Sequence, residues 1–144
     1  MYHRIGGAVV ALLLGSTPVL ANGDAPAAEN FGALMSGAEE VPGPGDADGS
    51  GVASIAIESA NSKLCYQVAA KQIATATAAH IHKGVAGTAG PPVVTLKPPV
   101  DGPVTDCLQI DPAVASAILA APEQYYVNIH NAEYPAGAVR GQLQ

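Results

Sequence analysis

Cationic charge is what this chain has least of. Its 144 residues carry six Lys and Arg against twelve Asp and Glu, a formal net charge of −6 with His counted neutral. No basic stripe can be assembled to neutralise phosphates, and an anionic lipid surface would repel the chain. Nucleic acid is therefore excluded as a partner. Past the amino-terminal region, no apolar run is long enough to span a bilayer. Several catalytic signatures are missing too. No Ser stands in a G-x-S-x-G context, no Gly-rich loop precedes a helix as phosphate cradles require, and H-E-x-x-H is absent. Glu39 and Glu40 are adjacent, and adjacent side chains on a strand face opposite ways, so they make a poor acid–base pair.

The amino terminus reads as a leader. His3 and Arg4 precede the apolar run "IGGAVVALLLG", Pro18 breaks it, and Val19 and Ala21 occupy the small-residue positions before a cleavage. The expectation is a secretory signal peptide over 1–21, with no Cys for a lipid anchor, and a secreted or periplasmic product. Residues 22–32 follow as a flexible tail, and 33–144 form one domain.

Within that domain, short apolar runs alternate with Gly, Pro, Asn and Asp, and the stretches between have period two. This is the pattern of an all-β chain. Strands are expected at 32–38, 51–58, 63–70, 77–83, 92–97, 104–110, 124–130 and 137–143. Asn61 and Ser62 supply a tight hairpin between the second and third. One helix is expected in "DPAVASAILAAPE", with Asp111 as N-cap, Pro112 at the first helical position and Pro122 ending it. The fold predicted is an antiparallel Greek-key sandwich or flattened barrel of about eight strands with one short helix.

Only two cysteines are present, Cys65 and Cys107, and they are not in a C-x-x-C arrangement. In an exported protein the default is one structural disulfide. It would close a loop of about 43 residues, worth roughly 3–4 kcal/mol in the chain-entropy model. A pair of free thiols in redox or metal work is the alternative.

Histidine is also scarce, four in the chain, and unusually placed. Leaving His3 aside, the histidines are His80, His82 and His130. Period two puts His80 and His82 on one face of their strand with Ile81 inward, and in "YYVNIHN" it puts Val127 and Ile129 inward with Tyr126, Asn128 and His130 outward. If these strands are neighbours, three imidazoles converge on the outside of the sheet. Three neutral imidazoles with an open fourth position suit copper or zinc. Glu39, Glu40 or Met35 are the candidates for a fourth ligand, and Asn128 or Tyr126 for hydrogen bonds behind the ligands. Arg140 is either a partner for a carboxylate or an anion guide near the site. The simpler alternative is a strand pair whose polar face meets solvent.

Other metal chemistries fit poorly. A blue-copper centre needs a thiolate beside two His, but no His follows Cys107 before His130. The expected mature terminus, Asn22-Gly23-Asp24, has no early His for a copper clip. An EF-hand frame from Asp46 places Ile57 where the closing Glu belongs.

Three blocks carry a family resemblance: "LMSGAEEVP" (34–42), "TAAHIHKGVAGTAGPPVV" (77–94) and "YYVNIHNAEYPAGAVRGQL" (125–143). Together they resemble the CHRD domain, named from chordin, from about Ala33 to the C-terminus. The family often has an acidic residue where Ala138 stands. The resemblance implies a compact β-sandwich, and its blocks include His80, His82, His130 and Arg140. A looser likeness of arrangement links the chain to copper–zinc superoxide dismutases, which share an H-x-H strand on a barrel's outer face, a disulfide and a late Arg. Their zinc loop has no counterpart here, so a related activity would be of the copper-only kind. The reading is an exported metal-binding domain, copper first and zinc second, acting in redox chemistry or copper buffering. The alternative is a metal-free structural or adhesion module.

Overall fold

The computed structural model describes residues 27–144. The expected leader at 1–21 and the start of the expected tail lie outside those residues. Eight strands form one antiparallel sheet: β1 (Glu29–Ser36), β2 (Ser50–Glu58), β3 (Lys63–Lys71), β4 (Ala76–Lys83), β5 (Pro92–Leu96), β6 (Val104–Gln109), β7 (Tyr125–Asn131) and β8 (Val139–Gln142). Their spatial order is β5-β4-β7-β8-β1-β2-β3-β6, and the sheet curls into a half-barrel. This is the all-β antiparallel class expected, with eight strands and one short helix among the described residues.

The β2–β3 hairpin forms where the sequence places it. Glu58 pairs with Lys63, Ser62 adopts a left-handed conformation (φ 54°), and the Asn61 side chain accepts the Lys63 N–H at 3.1 Å. Helix α1 (Pro112–Ala120) is capped by the Asp111 carboxylate, which accepts the Ala113 N–H at 2.7 Å. Ala115 and Ile118 are its buried residues, and a 3-10 turn at Pro122–Gln124 follows directly.

Most strand ends differ from expectation by one or two residues, and the largest difference is at the start of the first strand. β1 starts at Glu29, so residues 29–32, read as tail, are strand: Glu29 pairs with Ile57 and Asn30 with Ala56. Both side chains are exposed, so the apolar pattern carried no mark of them. Backbone hydrogen bonding to β2 extends the strand regardless.

The inner face of the sheet holds the core. Ile55, Ile57, Leu64, Val68, Ile81, Val127, Ile129, Val139 and Leu143 are fully buried there. Ile81 and Ile129 therefore anchor β4 and β7, as the alternation predicts. At the far edge Cys65 and Cys107 face each other across β3 and β6 and form the disulfide. It fastens edge strand β6 to the sheet and leaves no free cysteine among the described residues. No described helix is long and apolar enough to cross a membrane.

Candidate metal centre

Strands β4 and β7 are direct neighbours, and their register decides the site. Ala78 pairs with His130, His80 with Asn128 and His82 with Tyr126. With Ile81 and Ile129 turned inward, all three imidazoles rise from the outer face. One ligand nitrogen from each lies within 4.8 Å of the others. The convergence expected from the alternation is realised.

Hydrogen bonds define which nitrogens are available. His82 Nδ1 lies 2.8 Å from the Gly90 carbonyl and His130 Nδ1 lies 3.0 Å from the Pro135 carbonyl. A carbonyl only accepts, so both Nδ1 atoms carry the proton in the neutral rings, and both Nε2 atoms keep a lone pair. His80 Nδ1 is 3.2 Å from His130 Nε2. His130 Nε2 must be the acceptor there, which makes His80 Nδ1 the donor in the metal-free protein. A single proton thus sits where a cation would sit.

His82 Nε2 is the unusual atom. It is buried and has no hydrogen-bond partner, in a residue only 9% exposed. Leaving such an acceptor unsatisfied costs on the order of 1–3 kcal/mol. Burial lowers the pKa of His80, helped by the neighbouring His130 and His82, and burial also lowers that of His130, against the pull of the Pro135 carbonyl. Both rings are held in the neutral form that binds metals.

The residues fit a cation of the zinc or copper class. With metal–nitrogen bonds of about 2.0–2.1 Å, tetrahedral ligand nitrogens stand about 3.3 Å apart. The closest pair already stands at 3.2 Å, and all three donor atoms lie within 4.8 Å of one another.

The other expected site residues are dispersed. Met35 is in the core, packed against Gly51 and Gly141 on the face away from the imidazoles, so its sulfur is no ligand. Inward alternation on β1 places it there. Glu39 is exposed in the 3-10 turn Gly37–Glu39, and neither it nor Glu40 joins the three-histidine group. Glu40 is instead 6% exposed, with its carboxylate against the Cα of Gly137, where a Cβ would lie 2.2 Å from Oε1. Burial pushes its pKa up to about 7, although Arg140, the Val41 N–H and Asn128 all favour the charged form.

Arg140 is 1% exposed, with its guanidinium carbon 3.4 Å from the centre of the Tyr126 ring and Nη2 donating to the Val85 carbonyl at 2.9 Å. The guanidinium is covered by the Tyr126 ring and the loop carbonyl, which is the arrangement of the structural alternative and not that of an exposed cation. Tyr126 in turn stacks on His82, ring centres 4.8 Å apart and planes 10° from parallel. The Gly90 and Pro135 carbonyls were not foreseen, because no local pattern marks a backbone oxygen brought in by a loop.

Comparison with curated proteins and with solved structures finds no match. The family description "CHRD domain" matches residues 31–143, nearly the whole described chain. The HIH strand, the VNIH strand and the terminal Arg-Gly-Gln strand that build this outer face all fall inside the match, and the chain belongs to the CHRD domain family.

Proposed function

We propose that this protein binds one transition-metal ion through His80, His82 and His130, copper ahead of zinc. The observation that carries the reading is the orphaned, buried Nε2 of His82 beside two further imidazole nitrogens. Coordination satisfies that lone pair, and neither hydrogen bond to the backbone carbonyls has to break. Imidazole donors with no thiolate in reach favour copper(II) over zinc in the ordinary affinity order. Nitrogen ligands come from one side of the ion only, so the outward position is left to water or a small ligand.

The ion, when copper, would supply one-electron redox chemistry of the superoxide dismutase type or serve as buffered cargo. The chain's own residues do the holding: Gly90 and Pro135 fix the tautomers, and Ile81 and Ile129 fix the strands. We also read the protein as exported, with a leader at 1–21 ahead of the CHRD unit, and the disulfide supports an oxidising compartment.

A second reading is a metal-free structural or adhesion module. The His80–His130 hydrogen bond favours it, since that bond ties β4 to β7 without any ion. Equilibrium dialysis against equimolar copper(II) and zinc separates the readings. Close to one copper per chain supports the metal site, and a superoxide assay on the loaded protein then distinguishes enzyme from carrier. Zinc retained in place of copper would correct the metal, and neither retained would leave the module.

A further inference from the structure

The segment 84–91, between β4 and β5, crosses the outer face beside His82 and delivers the Gly90 carbonyl to it. Three side chains from other strands reach into this loop. Arg140 of β8 donates to Val85, Gln142 of β8 donates to Gly84 at 2.7 Å, and the Tyr126 hydroxyl of β7 accepts the Gly90 N–H at 3.2 Å. Gly90 itself lies so close to the Lys83 carbonyl that no side chain fits there. In strand order β7 stands between β4 and β8, so Tyr126 is flanked by His82 on one side and by the Arg140 guanidinium on the other.

We propose that Arg140 and Tyr126 are positioning residues for the metal centre, acting as a two-part clamp on His82. One part is the stack, in which the buried guanidinium backs the phenol ring and the ring sets the plane of the imidazole. The other is the loop, held by Arg140 at Val85 and by Tyr126 at Gly90, so that the Gly90 carbonyl keeps the proton on His82 Nδ1. Together they aim His82 Nε2 at the other two ligand nitrogens. A planar, delocalised cation suits this place, because it can stack on the ring and reach the loop carbonyl at once.

The competing explanation is that backbone bonds hold the loop unaided. Lys83 N–H to Pro91 at 3.0 Å and Gly84 N–H to Gln124 at 2.7 Å are the bonds in question. In that case Arg140 and Tyr126 contribute stability and leave His82 untouched.

The copper arm of the test rests on the metal reading, and the tautomer arm does not. Long-range proton–nitrogen NMR of the metal-free protein reads the His82 tautomer directly. Copper(II) titration and electron paramagnetic resonance then read the loaded site in wild type, Arg140→Lys, Arg140→Met, Tyr126→Phe and Tyr126→Leu. Wild type should show His82 protonated at Nδ1, and Tyr126→Phe, which keeps the stack, should largely retain it. Arg140→Met and Tyr126→Leu should give mixed tautomers, a changed resonance spectrum and copper affinity lower by roughly 10–100-fold, the usual scale for groups behind a ligand. If Arg140→Met does not fold, Arg140→Lys and Tyr126→Leu decide. Folded Arg140→Met (or Arg140→Lys) and Tyr126→Leu proteins with the wild-type tautomer and wild-type copper affinity overturn the clamp. Wild type that keeps the tautomer pattern but takes no copper overturns the metal reading alone.

Discussion

Replacing Glu40 by Gln should stabilise the protein at pH 8 and leave it nearly unchanged at pH 4. The carboxylate is buried against Gly137, and its pKa rises from the ordinary 4.5 to about 7 in spite of Arg140 nearby. The folded state therefore holds a proton that the unfolded chain has released. Below pH 4.5 both states are protonated and Glu40 costs nothing. As pH rises from there through 7 the folded state is penalised progressively, and above 7 the penalty is complete. A shift of that size corresponds to roughly 3–4 kcal/mol at most, taking about 1.4 kcal/mol per pH unit. Gln keeps the shape and remains neutral throughout. The assay is urea unfolding of both proteins between pH 4 and 9, read as the difference between them, which cancels the titration of the histidines. A difference that grows through pH 4.5–7 in favour of Gln and then levels off confirms the penalty. A constant difference would refute it, and one in which the wild type gains with pH would also make Glu40 a net stabilising partner of Arg140.

Three further outcomes follow from the fold. Replacing Cys65 and Cys107 together by Ala should lower unfolding free energy by roughly 3–4 kcal/mol, because the bond joins residues 42 positions apart. Denaturant titration of the double variant checks this, and a loss under 1 kcal/mol would contradict it. Gly137→Ala forces a Cβ into the Glu40 carboxylate at a φ of 147° and should cost at least about 1–3 kcal/mol, measured as a fall in Tm. Ile81→Ala removes a fully buried side chain between two ligand positions and should cost about 2–5 kcal/mol, again by urea unfolding.

Much of this was legible from alternation. "VASIAIES" and "KLCYQVAA" read as strands because one face of each is buried, and the structure pairs Ile55 with Tyr66 and Ile57 with Leu64. Asp111-Pro112 marked the helix start because both residues act within one turn. The histidine face was legible for the same reason: period two is local, and Ile81 and Ile129 pin its phase. What alternation does not encode is which residues lie opposite one another across distant strands. Met35 seemed a ligand candidate only because its strand's phase was not tied to the core. Glu40 read as a candidate ligand and Arg140 as a carboxylate partner or anion guide, and they become buried neighbours because β8 pairs with both β7 and β1, placing Arg140 opposite Asn128 and Ser36. The carbonyls that set the histidine tautomers arrive on loops, where apolar periodicity is silent.

The measurement that tests the central claim most directly is calorimetric titration of copper(II) into the purified protein, beside a His80→Ala/His82→Ala/His130→Ala variant. One equivalent bound at sub-micromolar affinity by wild type, and lost in a variant that keeps its β spectrum, is the result predicted. Equal and weak binding by both proteins would contradict the metal site and leave the three imidazoles as the polar face of a strand pair.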